Sequence, residues 1–112
     1  MKTPHLTQAL TLEVAQTAPD GAGGWHESWI PRGTLWAELR PRSARETTGE
    51  AGALSRASYR IIVRGAPQGH STRPQPGQRF RLGSRIWAIH AVTEADPTGR
   101  YLTCLAEEEV AA

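Results

Sequence analysis

Residues 8 to 17, QALTLEVAQT, alternate with Leu10, Leu12 and Val14 on one face and Thr11, Glu13 and Ala15 on the other, the period of a half-buried strand. APDGAGG, Ala18 to Gly24, is turn chemistry, and a second extended run follows it. Pro31 and Gly33 interrupt that run, so a bulge or bend is expected there; it resumes over Thr34 to Arg40 with Leu35, Ala37 and Leu39 opposite Trp36 and Glu38. One long, bent strand is the expected result.

Residues 42 to 57, RSARETTGEAGALSRA, hold one leucine and no periodic apolar face, and they predict a long loop made flexible by Gly49 and Gly52. A third strand runs from Ser58 to Arg64, with Tyr59, Ile61 and Val63 on one face. Gly65 to Gly77 is a second polar loop. Gln78 to Leu82 and Arg85 to Thr93 form a hairpin about a Gly83-Ser84 turn, with Phe80 and Leu82 inward and Arg79 and Arg81 outward. The last hairpin turns at Asp96 to Gly99 and closes with Tyr101 to Glu107, where Leu102, Cys104 and Ala106 share a face. About six short strands with no helical period predict an all-β fold, a small β-barrel or sandwich with a long loop between strands 2 and 3. Residues 1-112 make one domain.

Composition adjusts this picture in two ways. A domain of 112 residues buries roughly two-thirds of its unfolded surface, and a 38% hydrophobic content leaves room for support from neighbouring subunits. With a single Phe, the four tryptophans are expected to supply core or subunit-interface volume, and Trp36, Phe80, Ile89 and Leu102 are the residues expected in the core. The lone Cys104 is expected to be a small buried residue. No stretch approaches the roughly 20 apolar residues of a membrane span, and the start lacks a signal peptide's apolar core, so cytoplasmic synthesis and no membrane partner are expected.

Charge is uneven beneath a net +2. Residues 31 to 90 carry eleven Arg against Glu38, Glu46 and Glu50, while Glu107, Glu108 and Glu109 close the last strand. Arginine's planar fork suits carboxylates and phosphates, hence interfaces or nucleic acid; a GC-rich genome gives the same bias without a function. The acidic end and the arginine-rich middle are expected to meet across subunits or against an adjacent assembly, with Arg79, Arg81, Glu107, Glu108 and Glu109 as interface candidates.

Candidate chemistry is sparse. His5, His26, His70 and His90 have no metal-site spacing, no serine sits on a sharp turn beside a histidine, and GAGG lacks the strand-then-helix context of a phosphate loop. No catalytic residue, metal or cofactor is expected. Four tryptophans in an arginine-rich chain leave a monomeric nucleic-acid-binding β-barrel as an alternative, against which the basic residues fall in the loops and on faces opposite Phe80, Leu82 and Tyr59 instead of interleaving with aromatics; a small metal-independent hydrolase is a more distant one.

The order GG..ESW....TLWAELRP.S.RE, then YRI.VR, RF.LG.RIW.I.AV and D..GRYL.CL.E resembles the head closure proteins of tailed phages, also called head-tail joining or stopper proteins, including those of phage-like gene transfer agents. The resemblance runs from about Leu6 to Glu108. The sequence departs from the pattern at Ala44, where Gly is more usual, and in the longer, proline-rich loop 65 to 77. What the resemblance implies is a non-enzymatic β-barrel that forms a homo-oligomeric ring between the portal or adaptor proteins of the head and the tail terminator or tail tube, with DNA in its central channel. Residues 42 to 57 would be the channel loop, with Arg42, Arg45, Glu46 and Arg56 facing DNA. The protein would pass from the cytoplasm into the virion at the head-tail junction. A tail-terminator ring is the nearest alternative within such particles.

Overall fold

The computed structural model describes residues 2–49 and 52–111; for residues 43–49, 52–55 and 110–111 it describes the backbone alone. Six strands follow one another: β1 (Gln8–Pro19), β2 (Trp25–Gly49), β3 (Gly52–Arg64), β4 (Arg79–Leu82), β5 (Arg85–Glu94) and β6 (Tyr101–Ala111). Every neighbouring pair is antiparallel, in the order β1-β2-β3-β6-β5-β4, and three ladder positions between β1 and β4 close the sheet into a barrel. The expected all-β class and strand number hold, and there is no helix among the described residues.

Three bulges shape the sheet. Leu12 and Glu13 pair with Gly33 and Pro31, leaving Arg32 unmatched on β2, as expected from the Pro and Gly there. Arg42 is skipped between Pro41 and Ser43 on the β3 side, and His90 between Ile89 and Ala91 on the β6 side. Each extra residue bends its strand and increases the local twist, which a small sheet needs in order to close.

The interior is filled with side chains. Leu10, Leu12, Ala37, Ile61, Val63, Phe80, Trp87, Ile89, Leu102, Cys104 and Ala106 form one buried cluster, with Leu35, Leu39, Tyr59, Leu82 and Val92 packed around it. Phe80, Ile89 and Leu102 thus lie where the alternation puts them. Trp36 does not: it is 57% exposed. The inward register of β2 is already occupied by Leu35, Ala37 and Leu39, so the period of two turns Trp36 outward, and Trp87 supplies the bulky core indole instead.

Residues 42 to 57 are the larger correction. The expected loop is a continuation of two strands: β2 and β3 stay paired from Ser43 with Ser58 to Gly49 with Gly52. On the other edge of β3, the end of β6 pairs from Ser58 with Glu107 to Leu54 with Ala111. An arm of three strands results, ordered by backbone ladders on both sides of β3, and an apolar stripe is not needed to specify it. The tip residues Glu50 and Ala51 lie outside the described residues. At the opposite end of β2, Trp25–Ile30 pair only with Val14–Pro19, so β1 and β2 make a two-stranded ribbon. These two extensions account for the elongated shape of 49 × 33 × 22 Å and a radius of gyration of 15.4 Å; a compact domain of this length has about 13 Å.

Loop 65–77 is irregular but anchored. Pro74 is fully buried, Arg73 Nη1 donates to the Ala66 carbonyl at 2.7 Å, and Gly65 N donates to Arg100 O at 2.6 Å. A Cβ on Gly65 would lie 2.1 Å from the Gly99 carbonyl oxygen, so this close approach of two backbones requires glycine.

Candidate assembly and DNA-facing surfaces

The arm begins at Arg42. The residue is exposed on its bulge, where β2 leaves the barrel. Farther out, Arg45 is opposite Arg56 and Glu46 opposite Ser55 in the ladder. The side chains of Arg45 and Glu46 lie outside the described residues. Arg56 reaches Glu109 at 3.2 Å, a pair exposed on both sides.

The three glutamates expected to meet arginine across subunits meet basic residues of their own chain. Arg85 Nε donates to Glu108 Oε2 at 2.7 Å and Arg85 Nη2 to Oε1 at 2.9 Å, a two-point contact with a carboxylate on a residue only 6% exposed. The same guanidinium donates to the Tyr59 hydroxyl at 3.1 Å and lies 4.6 Å from the centre of the Trp87 ring, which Tyr59 meets edge-on. Hydrogen bonding from Arg85 outweighs burial and holds the Glu108 carboxyl below the usual carboxylate range; the reciprocal effect raises Arg85. Glu107 Oε1 lies 3.5 Å from His90 Nε2. Of the three, Glu109 pairs with an arginine of the arm, whereas Glu107 and Glu108 face His90 and Arg85 of β5.

A second clamp sits at the closure of the barrel. Glu13, 5% exposed, accepts from Arg79 Nε at 2.7 Å and lies 3.2 Å from Arg81 Nε. Arg79 also stacks over Trp29, 4.0 Å from its ring centre. Arg79 and Arg81 thus lock β4 to β1 within the subunit. Glu13, Arg85 and Tyr59 carried no role in the sequence. Each acts through a contact with a strand distant in the chain, which no local pattern signals.

Elsewhere the described surface offers little for catalysis. Among the described residues no three His, Cys, Asp or Glu side chains come together as metal ligands. Burial pushes the Cys104 thiol up to about 12, which leaves it a protonated, unreactive core group. Trp25, at 71% exposure, and Trp36 are instead open to solvent with Ile30, on or beside the ribbon.

The family comparison agrees with a structural part in a particle. The model of the phage head completion protein family matches residues 1–109. Among solved structures, a chain from the virion of a native gene transfer agent particle is 46% identical and superposes with a TM-score of 0.89, over 98% of this chain and 100% of that one. No curated protein sequence gives a significant match. The matched residues span the barrel and nearly all of both extensions, and the chain belongs to the phage head completion protein family.

Proposed function

We propose that this protein closes the head of a phage-like particle as a ring of identical subunits at the head-tail junction, between portal or adaptor proteins and the tail, with DNA passing through the centre of the ring. One observation carries the reading of where DNA can go. The barrel interior is packed with Phe80, Trp87, Leu10, Leu12 and their neighbours, so no channel runs through a subunit and any DNA path must lie between subunits. A ring supplies such a path, and the membership of the chain in the head completion family supports that form.

In this reading the three-stranded arm points to the channel and Arg42 meets phosphate. Its charge suits a gate. Arg42, Arg45 and Arg56 share their strands with Glu46 and Glu109, and Glu109 pairs with Arg56, so the arm holds DNA weakly and without reading bases. Weak, sequence-independent contact lets a channel retain any DNA and then release it. The role is structural, and no step of it needs a catalytic group.

Electron microscopy of particles made without this protein tests the proposal. Filled heads that lack tails and leak DNA are expected. Tailed particles with full DNA content would overturn it.

A further inference from the structure

Trp25 and Glu27 stand two residues apart on the ribbon strand β2, hence on one face, and both are exposed. Eleven residues along the same strand is a groove of about 250 Å³ lined by Leu35, Trp36, Ala66 and Thr72, with Arg64 at its side. Neither Glu27 nor Arg64 has an ion-pair partner among the described residues. The two patches are complementary: an aromatic knob with an anion, and an apolar groove with a cation. They cannot meet within one chain, because a strand of that length holds them roughly 35 Å apart.

We infer that the ribbon end of one subunit docks on the next, with Trp25 seated in the groove beside Trp36 and Glu27 paired with Arg64 of a second copy of this chain. A knob and a groove at different places on one molecule make a head-to-tail contact, the kind that closes into rings when the rotation permits. The inference rests on the ring reading above and names the surface that builds the ring. It also accounts for the ribbon: two strands alone are marginal in water, and a neighbour would cover Trp25, which the ribbon leaves open beside Ile30. The contact uses neither the arm nor the Glu108 clamp, so assembly and gating act through separate parts of the chain.

Charge exchange in intact particles tests the pairing. Glu27→Arg and Arg64→Glu are each expected to lower the yield of tailed, DNA-filled particles by roughly tenfold or more through like-charge contact, and the double exchange to restore it. Both variants should melt like the parent as free subunits, since neither residue is buried. Single variants that assemble normally, or a double variant no better than the singles, would overturn the contact. A benzophenone amino acid at Trp25 gives a second readout: crosslinked peptides should contain Leu35–Trp36 or Arg64–Ala66 of this chain. Crosslinks to a different virion protein would assign the ribbon to a neighbouring ring and refute contact between copies. Particles lacking the whole protein separate the two ideas, because their loss of tails and DNA stands even where the exchange variants behave normally.

Discussion

The barrel and the arm are made of the same strands by opposite means. In the barrel, β2 and β3 turn Ala37, Ile61 and Val63 onto a filled interior. A few residues farther on, the same strands carry Ser43 to Gly49 and Gly52 to Ser58, and the ladders with β6 fix their register. Burial of apolar surface contributes about 25 cal/mol per Å² and is non-directional, so the barrel tolerates little loss of volume. A hydrogen-bonded arm contributes little to the core and is free to be polar. The difference teaches where stability and function separate: substitutions in the barrel should be read in a melting curve, and substitutions in the arm in particles.

The largest effect should come from the interior. Phe80→Ala or Trp87→Ala is expected to cost about 3–5 kcal/mol, most of the stability of a small domain, whereas Trp36→Ala in the free subunit should stay within about 0.5 kcal/mol. Thermal or denaturant melts of the three variants check this. A Trp36→Ala variant as damaged as Phe80→Ala would mean that the outward register of β2 is wrong.

Where the arm joins the barrel, Glu108 should behave as part of the body. Glu108→Gln leaves the Arg85 guanidinium without its two-point partner and should cost about 1–3 kcal/mol, while Glu109→Gln at the exposed pair should cost between about 0 and 1 kcal/mol. Equal losses in the two variants would erase the distinction between a clamped and a solvated glutamate. The pH dependence follows the same logic. The folded carboxyl is held below its ordinary value of 4.5, so its contribution is fully present above that pH and is lost as pH falls through the lower folded value. Between pH 5 and the acid limit of folding, the melting temperature of Glu108→Gln should therefore fall less steeply than that of the parent, and a parallel fall would contradict the clamp.

The barrel was legible in the sequence because its signal is local. Alternation along 8–17, 58–64 and 101–107 placed the strands, and the Gly83-Ser84 turn and the Pro31 to Gly33 bend appear where turn and bulge chemistry put them, with Gly83 at φ +61°. The arm was not legible. Its order comes from β6 pairing with β3 at a separation of about fifty residues, which a pattern search over 42–57 cannot see. The same holds for the candidate site: Glu107 to Glu109 and the arginines were visible as charges, but which carboxylate met which guanidinium depended on a ladder register. Trp36 failed for a different reason. Scarcity of aromatics was set against alternation, and alternation won because Leu35, Ala37 and Leu39 already filled the inward positions.

The smallest effect on stability and the sharpest on function should come from the arm itself. Joining β2 to β3 by a tight turn near Ser43 and Ala57 removes the outer ladder but leaves the closed barrel and all of its core, so the shortened protein should keep a melting temperature within a few degrees of the parent. It should still enter particles, because the ribbon and the groove are untouched. Those particles should lose DNA or fail to deliver it, and Arg42→Ala should reproduce a milder form of the defect whose difference from the parent shrinks as salt rises, as expected of a phosphate contact screened over about 10 Å at 0.1 M. DNA content of purified particles, read by absorbance and by nuclease protection, measures both. Full retention and normal delivery by the shortened protein would remove the arm from the gate while leaving the barrel its part in closing the head.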